Sequence, residues 1–576
     1  MPTEPLPSFD VREIPFSRRG SWLDLSPVVG LHRTADDIHL VSHVTGMHAV
    51  LALVPLREGD RIECTLTADP TLLTWKADGQ GTAEAVFEST TALRLRGRGM
   101  DVRITDATHS LTSFTGSYLL RDPQDGSYIF TSYETGRRYR VTSLSGSIDA
   151  IGDQALGEAD RSLTISGMDG WEVVIEQIDA ARTPYTSVDD FEAIVERAAT
   201  DFRAYVDAIA PWRTNATPAA TLACYVLWSA TVAPGGFLGR ESVLMSKHWM
   251  DKLWSWDHAF NALALAPGLT DLALDQFLAP FDHQDKSGAM PDSIAHSEVL
   301  YNFVKPPIHG WALARLRERL PRDLTHGELI ELYDRISSWT RFWLDHRRAP
   351  GHALPYYQHG NDSGWDNSTA FDHDRVIEAP DLAAFLVIQI DVLAQLSDEL
   401  DTGDGDAWRE AGRGIRDALL DELHDDAGFF AVGALSGRIG KRSSLLTLLP
   451  ILASPRLPED VIDQLARGIE AHLTEWGLAT QLLDSAEYES DGYWRGPIWA
   501  PATLLIEDGL RAAGRTELAA LVSARFRALC ERSGFAENFD AVTGEGLRDR
   551  AYTWTASVYL VLAGNAAREG AGPGQG

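Results

Sequence analysis

Cysteine is scarce in this chain. Its 576 residues include three cysteines, Cys64, Cys224 and Cys530, which lie far apart. No two of them have the spacing of a Cys-x-x-Cys motif, so neither a zinc site nor a redox pair of thiols is expected. An odd number of widely spaced cysteines also argues against a disulfide-stabilised scaffold, and it favours a reducing compartment.

Targeting and membrane-spanning patterns are lacking as well. Residues 1–5 show neither the basic region nor the apolar stretch of a signal peptide. No uninterrupted apolar run reaches the roughly 18 residues of a transmembrane helix. These patterns predict a cytoplasmic protein that has no membrane partner.

Positive charge is in short supply. The sequence has 51 Lys and Arg against 83 Asp and Glu, which gives a formal charge of 51 − 83 = −32. Such a field repels phosphates, so a nucleic-acid partner is not expected. The hydrophobic share of 44% is ordinary for a globular protein and excludes extensive disorder.

The common cofactor and metal motifs are also missing. The sequence contains no GxGxxG after a strand pattern, no GxxxxGK[ST] and no HExxH. Asp372, His373, Asp374 and Glu378 lie close together but lack a defined ligand spacing, and we interpret them as a solvated or capping segment. Neither a cofactor nor a metal site is therefore predicted.

Residues 1–180 have the pattern of a β domain. Short alternating segments, such as 92–96 and 139–142, are separated by glycine-containing turns, and Trp171 begins what reads as the last strand. Many short strands at this spacing are typical of an antiparallel β-sandwich.

From Val188 onward the apolar period becomes helical. Clear amphipathic segments cover residues 327–345 and 381–400, and Pro458 opens a third that runs to about Leu473. Ten to twelve such segments between residues 188 and 567 suggest a toroid of helical hairpins. We predict a linker at 181–195, an all-α catalytic domain at 196–569 and a disordered tail at 570–576.

Tryptophan is concentrated in the helical part. Fourteen of the 17 tryptophans follow residue 180, and several stand in polar, loop-like strings at 254–258, 362–368, 491–499 and 552–555. A pyranose offers an apolar face to aromatic rings and a rim of hydroxyls to carboxylates, amides and arginine. A lone tryptophan is most often part of a core, but four such strings together favour a sugar site.

Two carboxyl groups are needed to cleave a glycosidic bond by acid–base catalysis. Asp366 lies between Trp365 and Asn367, where an aromatic neighbour raises the pKa of a carboxyl and suits it to act as the acid. Glu537 is the second candidate and Glu545 is its rival. Asp362 is an alternative acid that could instead shape the loop.

The four strings also carry a family resemblance. Residues 240–562 resemble glycoside hydrolase family 63 and its trehalase-containing clan of (α/α)6 barrels, above all the bacterial mannosylglycerate and glucosylglycerate hydrolases. The matching segments are 254–257, 364–368, 493–499 and 537–555.

This resemblance implies roles for individual residues. Asp366 matches the general acid of the family and Glu537 its general base, whereas relatives differ at the position of Glu545. The family inverts the anomeric configuration, which implies a carboxyl separation of roughly 6.5–9.5 Å. Trp256 and Asp257 match residues that hold the sugar.

The remaining substrate-binding candidates come from the same strings and from one glutamine-containing turn. Arg495 is expected to bind a substrate hydroxyl or carboxylate, or to pair with a catalytic carboxylate. The other candidates are Trp254, Gln284, Gly364, Trp365, Tyr493, Trp494, Trp499 and Trp554.

The sequence thus predicts an inverting, exo-acting α-glycosidase that releases a terminal α-linked hexose, with glucose favoured, from a small glycoside or oligosaccharide. Three alternatives stay open. They are a glycoside phosphorylase, a lyase or epimerase on a similar toroid, and a non-catalytic carbohydrate-binding protein. No oligomeric state is predicted.

Overall fold

The computed structural model describes residues 6–570 except 80, 109, 110 and 113. They form two units. One holds the described residues of 6–207, 224–252 and 295–298, and the other holds 208–223, 253–294 and 299–570. Apart from Gly570, the predicted disordered tail lies outside the described residues.

Antiparallel strands build the first unit. One sheet has the order β1-β2-β3-β9-β14-β13 with β4 paired to β3, and the other has the order β10-β11-β12-β15-β8-β7-β6-β5. In chain order these strands are Leu23–Gly30 (β1), Arg33–Ser42 (β2), His48–Arg57 (β3), Asp60–Arg61 (β4), Cys64–Ala68 (β5), Leu73–Ala77 (β6), Thr82–Phe87 (β7), Ala92–Arg98 (β8), Asp101–Asp106 (β9), Ser117–Arg121 (β10), Tyr128–Ser132 (β11), Arg138–Ser145 (β12), Ser147–Ile151 (β13), Ser162–Ser166 (β14) and Trp171–Ile178 (β15).

Both sheets contribute to one hydrophobic core. Leu40 and Leu51 enter it from the first sheet, and Leu93 and Val141 from the second. The alternation that marked residues 92–96 arises because every second side chain of β8 faces this core. The strand predicted to begin at Trp171 is confirmed as β15, which pairs with β8 and β12.

A buried polar network in the first unit holds the later segment 242–252. The Lys247 ammonium donates a hydrogen bond to Ser17 Oγ over 2.8 Å. The His43 ring lies between the carboxylates of Asp24 and Asp251, at 2.7 and 3.0 Å. Burial opposes charge on His43, but hydrogen bonds to the two carboxylates raise its pKa to about 9.

Helices dominate the chain after residue 190. They are Phe191–Ile209 (α1), Ala220–Ala230 (α2), Asp257–Leu265 (α3), Thr270–Leu278 (α4), His309–Arg319 (α5), His326–His346 (α6), Gly360–Ser363 (α7), Pro380–Leu400 (α8), Gly405–Glu422 (α9), Glu459–His472 (α10), Ala500–Ala512 (α11), Thr516–Ser533 (α12) and Thr553–Gly570 (α13). Three 3₁₀ segments lie at Ala279–His283, Thr369–Phe371 and Leu445–Arg456.

Short two-residue strands pair across the loops between these helices. They are Thr231–Val232 (β16), Ser242–Val243 (β17), Leu253–Trp254 (β18), Ser293–Ile294 (β19), Val299–Leu300 (β20), Ile377–Glu378 (β21), His424–Asp425 (β22), Gly428–Phe429 (β23), Val432–Gly433 (β24), Asn538–Phe539 (β25) and Gly546–Leu547 (β26).

The three helices predicted from periodicity are confirmed as α6, α8 and α10. Thr325 and Glu328 form a capping box that fixes the start of α6, and Pro458 is the N-cap of α10. The described residues contain thirteen α-helices, slightly more than the ten to twelve predicted. One reason is that α7 is a single turn of four residues, too short to show a period.

Six helical segments of the second unit contact one another in a closed cycle. The order is α3, α5, α8, the 3₁₀ segment Leu445–Arg456, α11 and α13, and α13 packs back on α3. Further helices pack against members of this cycle, among them α4 on α3, α9 on α8 and α12 on α11. In each of these three contacts a member of the cycle packs against the helix that follows it in the chain.

Helix α8 alone, among the described residues, is long and apolar enough to cross a membrane. Most of it is buried inside the structure. Its Gln389 accepts a hydrogen bond from the Gly310 backbone and donates one to Thr340 Oγ1. A helix that is apolar on nearly all sides and packed within protein is the pattern of a core helix.

Candidate active site

Asp366 stands on a loop that its neighbours fix tightly. His359 caps helix α7 by accepting the Asn361 N–H at its ring nitrogen over 3.1 Å. Gly364 ends α7 in the left-handed region at φ 74°. A side chain at Gly360 would collide with the Asp366 carbonyl, at 2.1 Å. Small residues are thus needed where the chain turns toward Asp366.

The string 491–499 binds the loop of Asp366. The Asn367 side chain donates to the Gly492 carbonyl and accepts from the Trp494 N–H, both over 3.0 Å. Arg495 donates to the Asn367 carbonyl over 2.8 Å and forms an ion pair with Asp372. Two predicted site residues, Trp494 and Arg495, thereby hold the backbone next to Asp366.

The same string also binds the segment that carries Glu537. Ile498 exchanges two backbone hydrogen bonds with Phe539, at 2.7 and 3.0 Å. The Glu537 N–H donates to the Asp549 carbonyl over 2.7 Å, beside the β25–β26 pair. Segments 171 positions apart in the chain are therefore attached to one short stretch of backbone.

Each of the two carboxyl groups has a raised pKa. Burial is the main cause for Asp366, where Lys305 and His359 oppose it and Asp292 adds to it. Glu537 is 4% exposed, and burial raises its pKa to about 7, with the charges of Asp549 and Asp366 adding to the effect. The charge of Asp366 thus reaches Glu537.

The Tyr493 hydroxyl makes a hydrogen bond to Glu537 and lowers the pKa of that carboxyl. Tyr493 itself has φ 62°, which is unusual for a residue with a side chain. Its carbonyl accepts the Trp499 indole N–H over 2.9 Å, and Arg548 lies 4.9 Å from the centre of its ring. Tyr493 thus combines an uncommon backbone conformation with a hydrogen bond to the Glu537 carboxyl.

Asp257 begins helix α3 in a buried position. Burial raises the pKa of its carboxyl to about 8, and the charges of Asp292 and Asp366 add to this while Lys305 opposes it. Its Oδ2 finds no hydrogen-bond partner among the described residues. A buried oxygen without a partner is costly, so this atom is suited to a bound hydroxyl.

Lys305 and Asp292 belong to this cluster, although no sequence motif marked them. The Lys305 ammonium lies 3.1 Å from Asp292 Oδ1 and donates to the Asn361 carbonyl over 2.8 Å. The one local signal is that Lys305 directly precedes two prolines. Buried Tyr552 and Asp549 were also missed; the charges of Glu537 and Asp257 help burial to raise the pKa of Tyr552.

Five tryptophans drawn from all four strings contact one another. Trp494 and Trp499 are parallel at 4.0 Å between ring centroids, and Trp365 lies 4.6 Å from Trp494. Trp554 contacts Trp499 at 5.4 Å and Trp256 at 5.9 Å. All five are buried, so their packing holds the loops together in the interior. The partly exposed aromatic members of the predicted set are Trp254 and Tyr493.

Two other candidate residues, Gln284 and Asp362, form hydrogen bonds that hold the surrounding chain. The Gln284 amide donates to the carbonyls of Gly288 and Arg335, at 2.9 and 3.1 Å. Asp362 accepts the N–H groups of Val304 and Gln358 and the Arg347 guanidinium, at 2.8 to 3.1 Å. The Asp362 carboxylate therefore shapes the loop of Asp366.

Glu545, the rival to Glu537, is exposed to solvent. It closes a turn in which the Asp540 N–H donates to the Glu545 carbonyl over 2.9 Å. The Glu545 backbone N–H in turn donates to Thr543 Oγ1. The turn that carries Glu545 is thus held by its backbone.

The contact between Gly364 and Trp256 gives a testable prediction. A Cβ at Gly364 would lie 2.5 Å from the Trp256 ring, and its φ disfavours any side chain. We expect Gly364→Ala to cost roughly 1–3 kcal/mol of stability from backbone strain and to raise KM because Trp256 is displaced. Thermal unfolding and steady-state kinetics measure the two effects.

Gly403→Ala is the matched control, because Gly403 has a similar φ of 83° but nothing within 4 Å of its Cβ position. It should lose stability without a change in KM. An unchanged KM in Gly364→Ala as well would contradict a role for the Trp256 contact in the site.

Several known proteins are similar to this chain. Residues 250–555 match the family model described as the mannosylglycerate hydrolase MGH1-like glycoside hydrolase domain. The mannosylglycerate hydrolase of Rubrobacter radiotolerans is 24% identical over 407 residues, which cover 53% of this chain and 89% of that protein. The glucosylglycerate hydrolase of Mycolicibacterium hassiacum is 21% identical over 407 residues, which cover 54% and 91%.

A solved structure shows the same fold. The family 63 mannosylglycerate hydrolase from Thermus thermophilus, in complex with Tris, matches 60% of this chain and 99% of its own with a TM-score of 0.53 and 22% identity. The family match extends over more than half of the chain and confirms the resemblance seen in the sequence. The chain belongs to the mannosylglycerate hydrolase MGH1-like glycoside hydrolases, within glycoside hydrolase family 63.

Proposed function

We propose that this protein is an inverting, exo-acting α-glycosidase with Asp366 as general acid and Glu537 as general base. The observation that carries the proposal is a pair of carboxyl groups, 171 positions apart in sequence, that share one environment and both have a raised pKa. The family membership supports glycosidic bond hydrolysis as the reaction.

The proposed roles assign a protonation state to each carboxyl. A general acid carries its proton before the reaction, and a general base is ionised. Burial favours the protonated form of Asp366, and the hydrogen bond from the Tyr493 hydroxyl favours the ionised form of Glu537. Asp366 gives its proton to the leaving oxygen while Glu537 takes one from the attacking water.

The sugar occupies the space beside Asp257 in this proposal. A hexose hydroxyl supplies the missing partner of Asp257 Oδ2, and Trp254 and Tyr493 offer aromatic surface to the ring. The mannosylglycerate and glucosylglycerate hydrolases among the relatives favour a small glycoside as substrate. We favour glucose as the released hexose.

The rival carboxyls are less suited to these roles. Asp362 already accepts three hydrogen bonds from its loop, and its substitution would disturb Asp366 indirectly. Glu545 is exposed to solvent, whereas Glu537 is buried. Asp366 and Glu537 therefore remain our assignment.

We also infer the architecture that holds these residues. The closed cycle of six helical segments, with further helices packed against several of them, supports an (α/α)6 barrel. Two antiparallel sheets around one core support an N-terminal β-sandwich. The boundaries at residues 180 and 196 stay predictions.

A substrate panel tests the proposed activity. The panel comprises glucosylglycerate, mannosylglycerate, trehalose, kojibiose, nigerose and isomaltose, each incubated with and without phosphate. We expect free hexose from at least one of them at a rate independent of phosphate. Turnover only with phosphate would establish a phosphorylase instead, and tight binding of a sugar without turnover would establish a binding protein.

A further inference from the structure

Lys305 is a buried ammonium in a group of acidic side chains. It is 6% exposed, its Nζ lies 3.1 Å from Asp292 Oδ1, and it donates to the Asn361 carbonyl over 2.8 Å. Removing an ammonium from water is costly unless charges and hydrogen bonds compensate. The burial of Lys305 therefore requires negatively charged partners and hydrogen-bond acceptors close to its ammonium.

Backbone contacts fix Lys305 relative to the loop of Asp366. Its neighbour Val304 donates an N–H to Asp362 Oδ1 over 3.1 Å, while Lys305 itself bonds the Asn361 carbonyl. Two adjacent residues thus hold helix α7, which leads directly into Asp366. Pro306 and Pro307 follow and restrict the backbone on the other side.

The charges around Lys305 are mutually dependent. Burial lowers the pKa of Lys305, but Asp366, Asp292 and Asp257 together outweigh it and keep the ammonium charged. In return, Lys305 is the largest charge that acts on Asp366, followed by Asp292, which opposes it, and by His359, which supports it. Of the three carboxyls near Lys305, Asp366 exerts the largest charge effect, while Asp292 also adds a hydrogen bond.

We propose, on the basis of the function proposed above, that Lys305 is the positioning residue of the general acid and stabilises the charge that develops on Asp366 as its proton leaves. During the reaction the O–H bond of Asp366 breaks and its proton moves to the glycosidic oxygen, whose bond to the anomeric carbon breaks. The water oxygen bonds to that carbon and its proton goes to Glu537. Asp366 ends as a carboxylate beside the ammonium, and Lys305 keeps its protons throughout.

Two substitutions with opposite expected effects test this role. Lys305→Gln removes the positive charge, so the pKa of Asp366 should rise by roughly one unit or more. The alkaline limb of the pH profile of kcat/KM should then move to higher pH. Asp292→Asn removes a negative charge, so the same limb should move to lower pH. Lys305→Arg keeps the charge and should retain the wild-type limb. Lys76→Gln changes an exposed lysine of the first unit and serves as the control.

The pKa of Asp366 can also be measured directly by NMR titration, without any turnover of substrate. In protein labelled with ¹³C at aspartate carboxyls, the Asp366 resonance is the one that Asp366→Asn removes, and its midpoint is read in each variant. Shifts upward in Lys305→Gln and downward in Asp292→Asn are expected. Equal midpoints in wild type and both variants would overturn the inference.

The two proposals can fail separately. If the wild type hydrolyses a substrate but the midpoints do not move, the role of Lys305 is wrong and the activity stands. If no substrate is hydrolysed but the midpoints move in opposite directions, the electrostatic role stands and the proposed activity is wrong. Should Lys305→Gln not fold, Asp292→Asn and Lys305→Arg still give the two contrasting midpoints.

Discussion

Asp366→Asn should lower kcat/KM by about 10²–10⁴-fold, the usual contribution of a general acid. Asparagine keeps the size of the side chain but has no proton to give to the leaving oxygen. The measurement is steady-state hydrolysis of the best substrate of the panel near neutral pH. Asp406→Asn, which changes a fully exposed aspartate of helix α9, should leave kcat/KM unchanged.

The chemistry of the leaving group distinguishes this loss from a folding defect. A 4-nitrophenyl glycoside of the same hexose expels a weakly basic phenolate and needs less help from an acid. Asp366→Asn should therefore lose much less activity on that substrate than on a sugar with an alkoxide leaving group. An equal loss on both substrates would contradict the assignment of Asp366 as the acid.

Glu537→Gln is expected to abolish nearly all turnover, again by about 10²–10⁴-fold. Glutamine retains a contact with Tyr493 but cannot take a proton from water. Hydrolysis of the same substrate and binding of the released hexose should be measured together, because binding should be largely retained. Loss of binding in parallel with turnover would indicate a disrupted site.

Glu545→Gln is the matched comparison for the base. Glu545 is exposed on its turn, so its substitution should leave kcat unchanged. If Glu545→Gln loses turnover and Glu537→Gln retains it, the assignment of the base is reversed.

Much of the fold follows from local sequence pattern. Period-two alternation located strands such as β8, and a 3.6-residue period located α6 and α8, because each pattern reflects a face turned to a core. The single turn α7 showed no period because it has only four residues. The pairing of β15 with β8 joins segments far apart in the chain, which periodicity does not encode.

The candidate site was predictable only in part. The string around Asp366 stood out because it combines tryptophan, asparagine and carboxylates, whereas the family resemblance favoured Glu537 over Glu545 as the base. No single string shows that the tryptophans pack against one another. The rings of Trp494 and Trp554 contact partners from other loops, which only the fold brings together. Lys305 lies on a separate segment and becomes significant only when the fold places it beside Asp292.

The central claim is that Asp366 and Glu537 cleave an α-glycoside with inversion. Proton NMR during the first minutes of hydrolysis identifies the anomer of the hexose before it equilibrates in water. We predict that β-hexose appears first and that the α form grows in later by mutarotation. If α-hexose appears first, a covalent intermediate and a retaining mechanism would replace the acid and base roles assigned to these two carboxyls.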